Sequence, residues 1–410
     1  MLKIDSCSFC CGCASCVQRC PKQCITLKAN HEGFFYPVID KDLCIDCGLC
    51  EKGCPVLAHL EEREPLKVYA AINNDEEIRK ESSSGGVFTA LAETIIAEGG
   101  VVFGARFDED WQVQLDCTDN VDGLKLFRGS KYVQARVEDT YKRTESYLKQ
   151  GRKVLFSGTP CQIAGLRMYL GREYDNLLCV DFVCHGVPSP KVWERYLREL
   201  VARKCEKNTV LFSSNKLSIS EENAFIKGIS FRDKKLGWKK FSFVFRGKLT
   251  KATAVGEKNS VLFSAMHRDD VYMRAFLSDL ILRPSCYDCR CKSGKSGADI
   301  TIADFWGIQY VAPEMDDDKG TSLVLINSNK GDILYNGLKL KSSEQSYSDA
   351  VRYNSSIVRS VKVPKKRDLF WKQYKECDDF GRVVNKVLRR TIRERVKGRI
   401  KSIIKKIIKK

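Results

Sequence analysis

The chain has 410 residues, of which 43% are hydrophobic and 10% aromatic, so it can form two or three packed domains and is not a disordered protein. No run of about 18 apolar residues occurs, which excludes a predicted membrane-spanning helix. The net charge of +18 is concentrated in residues 382–410, which contain thirteen Lys or Arg and one acid. A charge confined to one terminus argues against nucleic-acid binding, for which a basic face on the folded domain is expected.

Cysteines are concentrated near the N-terminus, where eleven of the 20 lie within the first 54 residues. Two runs there have the pattern Cys-x2-Cys-x2-Cys-x3-Cys-Pro, which is typical of bacterial ferredoxins with two four-iron clusters. The fourth Cys of each run is then a ligand of the other cluster, so the two halves interlock. We predict cluster one at Cys10, Cys13, Cys16 and Cys54, and cluster two at Cys44, Cys47, Cys50 and Cys20.

Zinc and disulfides are the alternatives for such a cysteine-rich module. Zinc sites also use Cys-x2-Cys pairs, but they account poorly for two complete runs that both end in Pro. Disulfides require an oxidising compartment, whereas the N-terminus shows no apolar signal core and predicts a cytoplasmic protein with reduced thiols. Three nearby cysteines lie outside the pattern and are interpreted as packing or spare thiols: Cys7, Cys11 and Cys24.

Between the two cysteine loops, residues 25–27 and 33–38 predict a short hairpin, and the charged residues 61–65 predict a linker. From Lys67 onward, short apolar strands alternate with helical patterns, which predicts an α/β region that includes a helix around Val271 to Leu282. A Ser/Gly segment, residues 82–86, directly precedes a predicted helix over 87–97. Serines cap helices, glycines permit close approach to the backbone, and the free N–H groups of a helix N-terminus favour phosphate. An ordinary capped helix is the alternative. The candidate binding residues are Ser83, Ser84, Gly85 and Gly86.

A second candidate binding segment covers residues 127–134. It places Arg128, Lys131 and Tyr132 together in an otherwise apolar stretch. The two cations are suited to a phosphate and the aromatic ring to stacking, but the edge of a β-hairpin explains the segment equally well.

Further cysteines follow two predicted buried strands. Cys161 lies where a strand over 153–156 turns into a helix, and Cys184 directly follows a strand over 177–183. Open α/β folds place ligands at such strand ends. Cys286 and Cys289 form a separate Cys-x2-Cys pair, and together the four thiols are enough for a third cluster, with Cys291 as a spare able to replace one of them. Buried cysteines of an ordinary core are the alternative.

The C-terminal tail shows one apolar helical stripe opposite a face of Lys and Arg, over residues 380–408. A basic amphipathic helix of this kind is expected at an anionic membrane surface, where each cation contributes about 1 kcal/mol. A helix docked on the protein or on a partner is the alternative.

Several motifs in combination carry a family resemblance: SSSGG at 82–86, RGSKYVQ at 128–134, GTPCQIAGL at 158–166, VCHG at 183–186, and CYDC with ADITIADFWG at 286–307. With them, the chain resembles the iron–sulfur flavoproteins related to the beta subunit of coenzyme F420-reducing hydrogenase and dehydrogenase, in the bacterial form with a fused ferredoxin module.

This resemblance covers nearly the whole chain before the tail, and together with the tail pattern it predicts an α+β ferredoxin-like dicluster module, an α/β flavin and iron–sulfur domain, and a C-terminal basic amphipathic helix. The expected boundaries are 1–62 for the dicluster module, 66–205 and 206–375 for the two parts of the flavin unit, and 376–410 for the tail. It also implies a third four-iron cluster held by Cys161, Cys184, Cys286 and Cys289, and an FAD with its phosphates near Ser84, Gly85, Gly86 and Lys131.

The expected activity is electron transfer between the clusters and FAD, followed by hydride exchange with a small acceptor. The acceptor is coenzyme F420 in archaeal relatives, whereas bacterial relatives often accompany surface-polysaccharide synthesis. A redox carrier such as ferredoxin or a partner subunit supplies the electrons, and the tail places the protein peripherally at the inner membrane face. His185 is the first candidate proton donor and Asp304 the second. The alternative is an electron-relay or scaffold subunit that reduces no small molecule.

Overall fold

The computed structural model describes residues 9–204, 226–247 and 260–389. The strands in these ranges are β1 (Ile25–Ala29), β2 (Phe35–Ile39), β3 (Lys67–Asn73), β4 (Val101–Phe107), β5 (Val113–Thr118), β6 (Val154–Gly158), β7 (Leu177–Phe182), β8 (Ile226–Asp233), β9 (Ser242–Gly247), β10 (Ser260–Met266), β11 (Ile300–Asp304), β12 (Ser322–Ile326) and β13 (Leu340–Glu344).

The α-helices in the same ranges are α1 (Ser15–Arg19), α2 (Leu49–Lys52), α3 (Glu76–Glu81), α4 (Val87–Ala97), α5 (Leu124–Phe127), α6 (Thr140–Lys149), α7 (Pro160–Leu170), α8 (Pro190–Lys204), α9 (Val271–Leu277), α10 (Ile308–Val311), α11 (Asn329–Asn336), α12 (Tyr347–Tyr353), α13 (Arg367–Glu376) and α14 (Phe380–Leu388). None of the helices described is long and apolar enough to cross a membrane.

The N-terminal module has the predicted hairpin between its two cysteine loops. β1 pairs antiparallel with β2, from Ile25 opposite Ile39 to Ala29 opposite Phe35. The Asn30 side chain accepts hydrogen bonds from the backbone N–H groups of Glu32 and Phe34, which closes the turn. The ferredoxin-type part of the fold expected from the sequence is therefore confirmed.

The rest of the chain is built on a mixed eight-stranded sheet of order β13-β3-β12-β11-β7-β6-β4-β5. β4, β6, β7 and β11 are parallel, and β3 runs in the same direction because β12 is antiparallel to both β3 and β11. Five strands therefore have their carboxyl ends at one edge of the sheet, which we call the rim. Ligands bind at this edge in open α/β sheets.

The sheet takes strands from both halves of the predicted flavin unit, 66–205 and 206–375. A smaller antiparallel sheet of order β10-β9-β8 packs beside it with α8, α9 and α13. Their shared core is rich in aromatic side chains, among them Trp193, Tyr196, Phe243 and Tyr272. The mixed α/β architecture agrees with the expectation, and the large aromatic core holds the second half of the chain against the first.

Local details differ from the sequence expectations. The helix expected from Val271 to Leu282 ends at Leu277, because the chain takes a left-handed conformation at Asp279, where φ is 60°. Residues 127–134 form no hairpin, since the short helix α5 ends at Phe127 and an extended stretch follows. The charged linker is attached to the domain, because the Arg63 N–H donates to the Ser293 carbonyl at 3.0 Å.

The beginning of the C-terminal tail packs on the protein. In α14 the side chains of Phe380, Val383, Val384 and Val387 are all buried in the aromatic core. The first part of the apolar stripe is therefore a docked helix, as in the alternative considered for the tail. The predicted continuation from residue 390 onward lies outside the described residues, as does Cys7.

Candidate functional site

The thiols predicted for cluster one lie together around α1. Burial and then the neighbouring thiols of Cys10, Cys54 and Cys50 raise the pKa of Cys16 to about 12. Cys10, Cys13 and Cys54 are buried. The loop therefore gathers these thiols in a site largely closed to water, which suits a cluster that binds thiolates and displaces their protons.

The thiols predicted for cluster two line a separate cavity nearer the surface: Cys20, Cys44, Cys47 and Cys50. Cys24 lines it as well, with its Sγ 3.4 Å from that of Cys20. Cys47 is exposed, in contrast to the buried Cys10 and Cys13. Among the residues that the structure describes, no three His, Cys, Asp or Glu side chains are grouped as ligands of a single metal ion.

The cysteines predicted for a third cluster converge at the rim. Cys161 begins the first turn of α7 after β6, Cys184 follows β7, and Cys286 lies on the 3-10 turn Pro284–Asp288. Burial raises the pKa of the Cys184 thiol well above its ordinary value, and the nearby Cys286, Cys161 and Cys289 thiols act in the same direction. The backbone N–H of Val187 donates to the Cys286 Sγ at 3.4 Å.

Cys291 belongs to the same group. It is 3% exposed, and its hydrogen bond to Cys289 lowers the pKa of Cys289 to about 6. Five thiols thus surround the third site, one more than a cubane needs. The structure places Cys291 beside the four predicted ligands, so all five thiols are candidate ligands of this site.

Cys11, interpreted from the sequence as a spare thiol, joins cluster one to the third site. Its hydrogen bond to Cys161 is the main cause of the raised pKa of Cys161, and burial is the next. α7 also contacts the cluster-one loop directly, because Gly165 leaves room for Cys13: a Cβ at Gly165 would lie 2.8 Å from the Cys13 Cβ and 3.0 Å from its Sγ. The two sites are therefore adjacent.

The segment 82–86 lies after β3 at the rim, before α4, as predicted. The Ser83 hydroxyl accepts from the backbone N–H of Ser130 at 2.6 Å, which connects it to the second predicted binding segment. Gly86 has φ of 86°, a conformation suited to glycine. The sequence therefore identified two segments that the fold brings into contact.

Some donors of this segment are already used within the protein. The Ser84 hydroxyl donates to the Thr321 carbonyl at 2.8 Å, and the Gly85 N–H donates to the Ser322 hydroxyl at 3.0 Å. These two donors are therefore not free to bind a ligand, whereas no side chain caps the N-terminus of α4.

The two predicted cations of the second segment have different partners. Arg128 pairs with Glu81 at 2.7 Å, so its charge is balanced. Within the described part of the chain, the Lys131 ammonium donates to backbone carbonyls alone, including that of Arg128 at 3.0 Å, and burial lowers the pKa of Lys131 to about 7. The Tyr132 ring contacts Phe276 at a centroid distance of 4.7 Å.

Two further cations were not predicted. The Lys234 ammonium donates to the carbonyls of Ser84 and Lys319, at 3.0 Å and 2.7 Å, and burial lowers its pKa to about 8. Arg232 is 7% exposed and pairs with Asp304, while its Nε and Nη2 have no hydrogen-bond partner within the described ranges. The half-buried Lys131 and Lys234 therefore bring ammonium groups without a carboxylate partner in the described ranges to the rim, which fits an anionic cofactor, whereas the charge of the buried Arg232 is balanced by Asp304. The sequence signal for Lys234 and Arg232 was weak, because Lys and Arg on a strand or at its end usually face solvent.

The two predicted proton donors have different surroundings. Asp304 is bound through both oxygens, by Arg232 and by the Trp238 indole N–H at 3.0 Å. His185 lies next to Cys184, with its Nε2 2.6 Å from the Asp279 carboxylate, and its ring meets the edge of Phe276 at 5.5 Å. His185 is thus close both to the third site and to the residue that packs on Tyr132.

Three family models match the chain. The N-terminal part of the coenzyme F420 hydrogenase/dehydrogenase beta subunit matches residues 68–141, and its C-terminal part matches residues 151–346. A 4Fe-4S dicluster domain matches residues 9–58. The chain belongs to the coenzyme F420 hydrogenase/dehydrogenase beta-subunit family. Together with the dicluster domain, this family assignment indicates an iron–sulfur oxidoreductase.

Individual relatives agree with both parts. An F(420)H(2) dehydrogenase component of Methanosarcina mazei is 24% identical over 200 residues, which cover 45% of this chain and 56% of that component. The chain thus spans about half the length of this curated relative. A 7Fe ferredoxin of Hydrogenibacillus schlegelii is 48% identical over 65 residues, covering 15% of this chain and 77% of the ferredoxin. One chain of the F420-reducing NiFe hydrogenase complex from Methanosarcina barkeri superimposes on this chain with a TM-score of 0.43 and 18% sequence identity. The superposition covers 78% of this chain and 91% of the hydrogenase chain.

Proposed function

We propose that the protein is an iron–sulfur flavoprotein oxidoreductase that exchanges electrons between its ferredoxin clusters and FAD, and hydride with a small acceptor. The observation that carries the proposal is the meeting of Cys161, Cys184, Cys286 and Cys289 at the rim, in contact with the cluster-one loop through Cys11. Thiols from separate segments would not be gathered beside a cluster by core packing alone. Their arrangement favours a third four-iron cluster as the inner redox centre.

The eight cysteines of the N-terminal runs are proposed as the ligands of the two ferredoxin clusters, with the assignments given above. Cluster one is the inner site, because its thiols are buried and touch α7. Cluster two is the outer site, since Cys47 is exposed and lies close to the exposed side chains of Leu43 and Ile45. This surface is where we propose that a redox carrier or a partner subunit delivers electrons.

FAD is proposed to lie at the rim beside the third site. Lys131 and Lys234 would hold its phosphates near Ser84 and Gly85, as their carbonyl-bound ammonium groups have no carboxylate partner within the described ranges. Ser83, Gly86 and Arg128 are proposed to contribute to the same site, and Tyr132 to pack on a ring of the cofactor. A flavin supplies the conversion between one-electron and two-electron transfer that the clusters lack.

His185 is the proposed proton donor to the acceptor. Its ring is half-exposed and is oriented by the Asp279 carboxylate. Asp304, the second candidate, instead neutralises the buried Arg232, which favours an orienting role. The acceptor is proposed to be coenzyme F420-like, because the names of the archaeal relatives refer to that coenzyme; a role in surface-polysaccharide synthesis stays a prediction.

The test of the third site is an iron count on anaerobically purified full-length chain. Three cubanes correspond to about twelve irons. Cys286→Ser is expected to lose about four of them, while Cys377→Ser, which changes a half-buried thiol at the end of α13, keeps all. Because Cys291 could replace Cys286, the double variant Cys286→Ser/Cys291→Ser is measured as well; an unaltered count in both variants contradicts the third site, and a colourless or zinc-containing protein contradicts the redox function altogether.

Flavin binding separates this enzyme from the relay or scaffold subunit. The proposal predicts about one FAD per chain, lost in Lys131→Met and kept in Lys149→Met, which changes an exposed lysine on α6. Three clusters without flavin absorbance would establish the relay instead.

A further inference from the structure

Arg283 is a fully buried arginine without an acidic partner. Its side chain has 0% exposure, and its donors reach three neutral acceptors: the Cys10 carbonyl at 2.7 Å, the Phe35 carbonyl at 2.9 Å and the Gln134 side-chain oxygen at 3.0 Å. The guanidinium also lies over the Tyr36 ring, 4.2 Å from its centroid. These contacts satisfy the hydrogen-bond donors of Arg283, but the neutral acceptors do not compensate its positive charge.

The other buried guanidinium groups in the described ranges have a carboxylate. Arg79 pairs with Asp317 at 2.6 Å, and Arg232 pairs with Asp304. A buried charge is expensive unless it is paired, so an exception requires another source of negative charge. None of the carboxylates described forms an ion pair with Arg283.

The position of Arg283 identifies that source. The carbonyl that it binds belongs to Cys10, a thiol of cluster one, and a Cβ on the nearby Gly12 would lie 3.0 Å from its Nη1. On the other side, Arg283 directly precedes the turn that carries Cys286, whose N–H donates to the Arg283 carbonyl at 2.9 Å. The cation therefore lies between cluster one and the third site.

We propose that Arg283 is the counter-charge of cluster one and raises its reduction potential. A four-iron cluster with four thiolates is a net anion that gains one further negative charge on reduction, and net charge and nearby hydrogen bonds set cluster potentials. A fixed cation stabilises the more negative, reduced form. This inference rests on the cluster-one ligands of the proposed function, and it makes Arg283 a positioning residue for electron transfer.

The test is a redox titration of the anaerobic full-length protein, in which electron paramagnetic resonance monitors each cluster. Arg283→Gln is expected to disfavour reduction of cluster one at least about tenfold, a shift of about 59 mV to lower potential. Arg283→Lys keeps the charge and is expected to stay within about threefold of the parent protein. Cluster two, on the far side of the module, should change less than cluster one.

Arg195 provides the matched control. Its guanidinium also donates to two backbone carbonyls and lies 4.6 Å from a Tyr374 ring centroid, but it pairs with Glu199 away from the clusters. Arg195→Gln should leave both potentials unchanged.

An Arg283→Gln protein with full iron and the parent potential would overturn the proposal. If that variant does not assemble its clusters, Arg283→Lys decides: a potential close to the parent supports the charge effect, and a tenfold loss shows that the hydrogen-bond geometry, not the charge, matters. If the cluster-one ligand assignment is wrong, the parent protein itself lacks the two ferredoxin signals. That result is distinct from a failure of the proposal about Arg283, in which the parent protein shows both signals.

Discussion

The contact between α7 and the cluster-one loop predicts a specific effect of Gly165→Ala. A Cβ there would lie 2.8 Å from both the Cys13 Cβ and the Tyr141 hydroxyl, whereas ordinary carbon contacts are about 3.5–4.0 Å. Overpacking costs about 1–3 kcal/mol, and the upper part of this range, about 2–3 kcal/mol, applies here because the Cβ would meet two groups at 2.8 Å. Because Ala gains up to about 1 kcal/mol over Gly inside a helix, a net loss of about 1–2 kcal/mol remains. That loss corresponds to a change of about 5- to 30-fold in the folded population.

The measurement is urea unfolding followed by the visible absorbance of the clusters. Gly337→Ala is the control, since its Cβ would meet the Leu334 carbonyl at an ordinary 3.4 Å. Gly165→Ala should lower the unfolding midpoint and release cluster-one iron to a chelator faster than the control does. If Gly165→Ala instead matches or exceeds the parent stability, as helix propensity alone requires, α7 does not pack on Cys13 and the proposed adjacency of the two sites is wrong.

Two further predictions concern the flavin and the tail. FAD affinity should be constant at low pH and fall as the pH rises above about 7, because the pKa of Lys131 is about 7 and the neutral amine no longer attracts phosphate. The Lys131→Met variant should bind FAD weakly at every pH. If this variant keeps the steep fall in affinity, the pH effect belongs to another group, such as Lys234. Removal of residues 390–410 should abolish sedimentation with anionic liposomes at about 0.15 M salt while all clusters remain; equal sedimentation of both forms would exclude the membrane role. The truncation begins at 390 because one that begins at Arg382 also removes the buried Val383 and Val387.

Local patterns made much of the fold predictable. The helix expected over 87–97 is observed as α4 with the same limits, and the hairpin and the strands that precede Cys161 and Cys184 lie where they were expected. In each case the sequence signal is a short segment of regularly spaced apolar residues that is bounded by Ser, Gly or Pro. That Cys161 and Cys184 lie at the same edge was also predictable, because parallel strands present their carboxyl ends there, whereas Cys286 and Cys289 reach it through a 3-10 turn.

Contacts between distant segments were not predictable in this way. The ion pair of Arg232 with Asp304 and the contacts of Arg283 with Cys10 join parts of the chain separated by many residues, and the sequence around each arginine is ordinary. The role of Cys11 was missed for the same reason, since its partner Cys161 lies in another domain of the expected organisation. The end of α9 at Leu277 was missed because the apolar period continues while the chain turns at Asp279.

The way the N-terminal module is attached explains why these distant contacts matter. A module on a flexible linker would form few specific contacts with the rest of the chain, yet Glu32 forms a largely buried ion pair with Arg367 of α13, and the Gln18 side chain accepts from the N–H of Tyr141 at the start of α6. The buried rings of Phe34 and Tyr36 also pack into the aromatic core, so undocking would return their apolar surface to water. This docking holds the buried thiols Cys10 and Cys13 beside the proposed third site, whereas Cys47 of cluster two is exposed. In the proposed function, electrons from an external carrier would therefore enter through cluster two, and the proposed order of the sites follows from which thiols the fold buries.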